Sequence, residues 1–418
     1  MRNKVFMALL TVSLAIFFAQ AKLLAQPTKL VIWSHWANDP IKINFMNAIS
    51  KEFEQETGIQ VEIEWMERDE LNDKIVFAID TPVPDLAYID LGFSHLRILR
   101  SLVDLSDLTW NSQTYPDWHL GSIGAHQNIF LPIEGVSHAI YYNKELFKQA
   151  NITLPSDRLL TSTEFLNIIR TLREAGITPI AEGVATRYDC MWGVGLMNTI
   201  FRFAGPEKVS QLLKGQLNFS DPDIVAALEF WKQVVDAPGY DYTTLLSMTF
   251  PERIFEMTDG RAAISLCGTW IYSKFGATER DRGQVGVLDW FTVEQGKGNG
   301  AYEMFWAAGY GINKHSQHLA EAKKFLEFLM TPTAAIIWAQ HVQGPYPVIV
   351  ENLPPDTLYG TLAQNRNAQE AFTQYFSCPF IESKALSNMW YEETVKFLTG
   401  EHSVEEFVKN MNSRMQVK

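Results

Sequence analysis

Cysteine is scarce in this chain: three among 418 residues, Cys190, Cys267 and Cys378, with no C-x-x-C pair. That excludes a disulfide scaffold and a cysteine-built zinc site. An odd count allows at most one internal pair, and the apolar or aromatic neighbours of each cysteine fit small buried hydrophobes. Basic residues are also short, 35 Lys and Arg against 48 Asp and Glu for a net charge of −13, without any basic run. Nucleic acid and anionic membrane surfaces are therefore not expected as partners. Catalytic and cofactor motifs are missing too. There is no H-E-x-x-H and no G-x-x-x-x-G-K-[ST]. Gly135-Val136-Ser137-His138-Ala139 lacks the closing glycine of a nucleophile elbow and runs into a strand instead of a helix. His315 and His318 are three apart without a carboxylate or cysteine at supporting spacing, so they read as solvated side chains, and neither metal nor cofactor is expected. Gly296–Gly300 follows no phosphate-loop pattern and reads as a surface loop.

What is present is a globular composition, 47% hydrophobic and 20% charged, in a chain long enough for about two or three domains. The first 25 residues stand apart. Arg2 and Lys4 precede an apolar stretch from Val5 to Ala19 with no acidic residue, and small-residue patterns end at Ala21 and Ala25. This predicts a secretory signal peptide over 1–25, removed on export, since about 15 apolar residues fall short of the roughly 20 that span a bilayer. No cysteine lies near the cleavage region to carry a lipid anchor. The mature protein is expected to be periplasmic and monomeric.

Hydrophobic periodicity then predicts an alternating α/β order. Lys29–Trp33 reads as a buried strand, and Asp39-Pro40 opens a helix with its apolar stripe at Ile41, Phe45, Ile49 and Phe53, closed by Gly58. Ile59 to Trp65 alternates as a half-exposed strand, Leu71, Ile75 and Ile79 mark a second helix, and Pro84–Asp90 gives a third strand. Such a βαβαβ run requires a mainly parallel sheet. Further strands are expected at Ile129–Pro132, Ala139–Tyr142, Ile177–Ala181, Ala262–Leu266, Val285–Leu288 and Ala307–Ile312. Capping boxes at Thr161/Glu164 and Ser403/Glu406 open helices, and further stripes run through Val225, Leu228, Trp231 and Val235, through Leu319 to Leu329, and through Met389–Leu398.

Tryptophan placement carries the functional signal. Trp33 and Trp36 follow the first strand, where open α/β sheets bind ligands, and Trp192, Trp270, Trp306 and Trp390 sit beside glycine, alanine or small polar residues. An aromatic face can lie on the C–H face of a pyranose while nearby polar side chains bond its hydroxyls, a combination that suits sugars. Trp65 and Trp231 lie on apolar faces and read as core.

Five motifs occur in order: Phe53-Glu-Gln-Glu-Thr-Gly58-Ile-Gln-Val61, Pro84-Asp-Leu-Ala-Tyr88, Ile140-Tyr-Tyr-Asn-Lys-Glu-Leu-Phe147, Gly260–Trp270, and Gly311-Ile-Asn-Lys314 before Ala322–Phe328. Together they resemble the extracellular solute-binding proteins of bacterial ABC importers, in the sugar-binding group similar to the maltodextrin-binding protein. The resemblance implies two α/β lobes, 28–123 plus 268–328 and 124–267 plus 329–418, joined by several hinge crossings with solute in the cleft. It implies that Trp270 and Trp390 stack on sugar, that Arg187, Tyr188 and Trp192 form a further wall, and that His35, Trp36 and Asp90 supply contacts from lobe one. Glu134 sits one step off the family's acidic position, and the loop after the third strand differs, both of which argue against maltose itself. The implied action is solute binding without conversion, read by a membrane permease and its ATPase.

Two other readings are open at this level. Glycerol phosphate, a polyamine or an acidic sugar could replace a neutral sugar as ligand, with Arg68, Arg187 and His35 available for an anion. A secreted carbohydrate-active enzyme would need two carboxylates roughly 5–9.5 Å apart, and Asp90 with Glu134 is the pair available. Intact mass of the exported protein is expected to begin after Ala25 or Ala21; retention of residues 1–20 would contradict the signal peptide.

Overall fold

A computed structural model describes residues 28–78, 80–90, 96–108, 128–181, 183, 191–236, 246–275, 283–342, 344–348, 358–366, 369–372, 380 and 384–415. The strands are β1 Lys29–Ser34, β2 Gln60–Trp65, β3 Leu86–Asp90, β4 Leu131–Val136, β5 His138–Asn143, β6 Thr178–Ile180, β7 Ala262–Gly268, β8 Val285–Leu288, β9 Ala301–Glu303, β10 Phe305–Ile312 and β11 Glu370–Phe372. They form two main sheets, β2-β1-β3-β10-β4 and β6-β7-β5-β8, with β9 and β11 as a separate pair. In the first sheet β10 alone runs against the other four strands, and in the second β5 alone is reversed. Helices cover both sheets, so the architecture is α/β with two lobes.

Local chemistry accounts for the first βαβ unit. The Asp39 carboxylate accepts from the Lys42 N–H at 3.2 Å, Pro40 occupies the first turn, and the helix Pro40–Thr57 ends at Gly58, whose φ of 72° is left-handed. The Gly58 N–H then donates to Glu54 O. Phe45, Met46, Ile49 and Phe53 bury one face of this helix on the first sheet. Both expected capping boxes form, at Thr161/Glu164 and Ser403/Glu406. Ile79 lies outside the described residues.

The division between lobes differs from the expected one. β4 belongs to the first sheet and β5 to the second, with only Ser137 between them, so the chain crosses at 136–138 and not near 123. The return crossing is at Met304, between β9 and β10, because β8 pairs with β5 of the second sheet. The helix Pro332–His341 also stays with lobe one: Phe45 and Trp338 meet edge to face at 4.9 Å. Strand pairing, which is non-local, decides these points, whereas motif order cannot.

Aromatic packing also differs from the expected one. Trp390 is 4% exposed and stacks on Phe219 at 6.0 Å, with Phe380 and Phe407 around it, in the core beneath the second sheet. Packing of the two last helices buries this indole, so it lies in the core and not at the expected cleft position. Trp231 is buried as expected, its ring set so close to Gly195 that an added Cβ would lie 2.6 Å away. Gly296–Gly300 is a surface loop as expected, and Arg202 ties it down by donating to Gly298 O at 2.7 Å and to Ala301 O at 2.6 Å. Trp231→Ala and Trp390→Ala are each expected to cost about 3–5 kcal/mol of stability. Denaturant unfolding measures this, and a Trp390→Ala protein as stable as the parent would return Trp390 to the surface.

Candidate functional site

Strand register brings several distant residues to one edge of the first sheet. Ala308 of β10 pairs with Asp90 on one side and with Glu134 on the other. The carboxyl ends of β1, β3 and β4 therefore lie side by side with the start of β10, and His35, Asp90, Glu134 and Trp306 gather there. This is the edge at which open α/β sheets bind ligands.

The floor of this edge is polar, and its buried ionic groups are paired with one another. Lys42, on the first helix, is ion-paired with Glu134, and both side chains are almost wholly buried. Tyr88 donates to the other Glu134 oxygen at 2.8 Å, and burial, reinforced by the Glu134 and Asp90 charges, pushes its phenol well above the usual range. Arg68 lies 3.6 Å from Asp90 with both groups partly open to solvent. The His35 ring stands against Tyr88 at 4.5 Å. Burial, with the Arg68 and Lys42 charges beside it, holds His35 well below its ordinary value, so the imidazole is neutral and can both donate and accept. Removing one member of the Lys42–Glu134 pair would strand a buried charge, which makes the pair a device for position more than for net stability.

The two lobes meet where β4 passes into β5. Thr269, just after β7, donates its hydroxyl to Gly135 O at 3.0 Å and accepts from the Ser137 N–H at 3.2 Å. Ser137 in turn donates to Glu303 O at 2.6 Å, linking the two crossings. Arg366 donates to Ser137 Oγ, to His138 O at 2.8 Å and to Asp289 Oδ1 at 2.8 Å, while His138 Nδ1 is bonded to Glu303. An indole stands on either side of this joint. Trp306 rests on Gly135, where a Cβ would come within 2.7 Å of the ring, and Trp270 folds over Gly268, where a Cβ would overlap the ring outright. Both indoles are half-buried. Glycine at 135 and 268 is required by the close approach of those rings.

The remaining expected residues fare differently. Trp36 is 2% exposed, packed among Tyr88, Tyr310 and Trp338 with the Lys42 ammonium 5.2 Å over its ring, so it lies under the floor and not in the cleft wall. Trp33 is likewise buried, with Lys74 4.4 Å over its ring. In both cases, against expectation, an indole beside a strand end packs into the lobe-one core. Arg187 and Tyr188 lie outside the described residues, as does the side chain of Trp192. Sequence reasoning missed Lys42, Tyr88, Asp289, Glu303 and Arg366, whose only signal is a charged or polar residue inside an otherwise apolar segment. Among the described residues no group of three or more His, Cys, Asp or Glu could hold a metal, and His318 instead lies 3.2 Å from Asp85. No described helix is long and apolar enough to cross a membrane.

The His35 ring is expected to stay neutral at pH 6, where an ordinary histidine, titrating near 6.5, is mostly charged. The unfolded chain takes up that proton and the folded chain does not, so this residue makes stability fall as pH drops below about 6.5. An NMR titration of the imidazole carbons checks it; a midpoint at or above 6.5 would contradict this partly buried setting beside Arg68 and Lys42.

Comparison with known proteins bears on the fold and the family. Residues 39–336 match the model of the bacterial extracellular solute-binding protein family. No curated protein matches the chain. Among solved structures, one from work on xylan utilization by the thermophilic bacterium Caldanaerobius polysaccharolyticus has a TM-score of 0.76 at 20% identity, covering 92% of this chain and 99% of its own. A chitin oligosaccharide binding protein has a TM-score of 0.72 at 18% identity, covering 94% and 98%. A solute-binding protein, RafE, in complex with raffinose has a TM-score of 0.68 at 16% identity, covering 93% and 98%. At such identities the structures establish a shared fold, while the family match spans most of the sequence: the chain belongs to the bacterial extracellular solute-binding proteins.

Proposed function

We propose that this protein captures a neutral sugar or oligosaccharide between its lobes and delivers it to an ABC permease. Carrying this reading is the pair of half-buried indoles, Trp270 and Trp306, that flank the interlobe joint, near which Lys42 and Tyr88 pair with Glu134. Indole faces suit pyranose rings, and His35, Asp90 and Arg68 offer donors and acceptors to hydroxyls. The sugars and oligosaccharides named for structures of the same fold support that ligand class. Solute bridging both lobes shifts the hinge toward closure, the state a permease recognises. Residues 1–25 direct export to the periplasm, where the protein works as a monomer.

Binding without conversion is favoured over hydrolysis by the state of the two carboxylates. Asp90 and Glu134 are separated by β10, roughly 9–10 Å between strands. Each already faces a cation, Arg68 or Lys42, and none of the contacts described turns the two toward a shared centre.

The test is a thermal-shift screen over raffinose, xylotriose, chitotriose and maltotriose, with glycerol phosphate, spermidine and galacturonate as contrasts. At least one neutral sugar is expected to raise the melting temperature and to remain intact by mass spectrometry. Trp270→Ala and Trp306→Ala are expected to weaken that sugar about thirtyfold and leave the fold in place. Cleavage of the sugar, or response to the charged contrasts alone, would replace this function.

A further inference from the structure

The helix Pro40–Thr57 belongs to lobe one, its apolar face in the core of the first sheet. The segment Thr269–Phe275 belongs to lobe two: Ile271 and Tyr272 pack with Tyr141, Cys267, Val285 and Val287 of the second sheet. These two pieces are bonded to each other. Asp39, the N-cap of the lobe-one helix, accepts from Ser273 Oγ at 2.6 Å as well as from its own Lys42 N–H. Lys274 Nζ donates to Asn38 O at 2.7 Å and lies 3.6 Å from Asp39. Asp39 and Ser273 are 6% and 4% exposed.

We infer that this helix cap doubles as a latch between the lobes: Asp39, Ser273 and Lys274 hold the cleft partly closed before any solute arrives, and so position both halves of the site. Every member has a second partner when the latch parts. Ser273 Oγ can turn to Trp270 O, 3.2 Å away in its own segment. Asp39 keeps the Lys42 N–H, and the Lys274 side chain, 38% exposed, leaves its ammonium to water. Opening therefore leaves no buried polar group unsatisfied, and the contact is reversible instead of structural. It sits one turn beyond Trp270, so the hydroxyl that reports closure is carried on the same short segment as the proposed stacking platform. The same helix carries Lys42 to Glu134 at the lobe-one floor. The inference rests on closure of two lobes around a solute, as proposed above, and deepens it by naming residues that set the starting position.

A ligand that needs the closed form binds more weakly in proportion to the fraction of molecules that occupy it. Small-angle scattering of the unliganded full-length mature protein tests the latch directly. The double variant Ser273→Ala/Lys274→Met is expected to show a larger radius of gyration than the parent, and Ser273→Thr, which keeps the hydroxyl, to match the parent. Affinity of the double variant for raffinose, or for whichever screened sugar binds, is expected to fall about tenfold with saturated dimensions unchanged. A folded double variant with the parent's unliganded radius of gyration would overturn the latch. Should the double variant not fold, Lys274→Met alone, at a partly exposed position, gives the same two readings with a smaller expansion. Because the deciding measurement contains no solute, a screen in which no sugar binds would remove the sugar reading and leave the latch standing.

Discussion

The structure depends on one nearly continuous strand, Leu131–Asn143, that begins in one sheet and ends in the other with Ser137 as its joint. A strand shared in this way cannot slip in one lobe without moving the other, since a shift of one residue would turn every side chain to the opposite face. Its register places Glu134 at the lobe-one edge and His138 beside Gly268 at the lobe-two edge. The crossing is then tied by Thr269, by Arg366 and by the second crossing at Glu303.

Buried charge is concentrated around this joint. Arg366, Asp289 and Arg202 form one group, Lys42 and Glu134 another, and each group joins elements that are far apart in sequence. For Asp289, burial alone would raise the carboxyl, yet the Arg366 and Arg202 charges bring it below its ordinary value. Burial is likewise the largest influence on Arg202, which falls to about 10 despite Asp289 beside it. Such groups add little net stability over well-packed apolar residues, but they penalise any arrangement that separates them. Bonds that resist misplacement hold the crossing in one geometry. The apolar cores above and below, with Phe45, Phe53 and Trp338 in one lobe and Phe165, Trp231 and Trp390 in the other, supply the burial that holds each lobe as a body.

The proposed site uses this division. Residues that position sit in the rigid floor, whereas the two indoles and the Arg68–Asp90 pair remain partly open. Glycine at 135 and 268 is the physical reason both rings can lie so near the joint, because any side chain there would push them outward.

Local features were legible in the sequence because their causes are local. Asp39-Pro40, Gly58, the Thr161/Glu164 and Ser403/Glu406 boxes and the alternation in β2 each follow from hydrogen bonding or burial within a few residues, and five ordered motifs carried the family and its α/β fold. Trp270 beside Gly268 and Glu134 at a strand end were legible as candidates for the same reason. Whether a tryptophan faces solvent or core was not, since Trp36, Trp306 and Trp390 have similar neighbours in sequence and differ only in what packs against them: Tyr88 and Trp338, Gly135, and Phe219. Lobe boundaries and the buried ion groups were hidden likewise, because Arg366 meets Asp289 across 77 positions and Ser273 meets Asp39 across 234. The sequence by itself determined the elements, their caps and the family, while pairing of strands and the meeting of side chains across hundreds of residues, which only packing in three dimensions can arrange, decided the joint and the site.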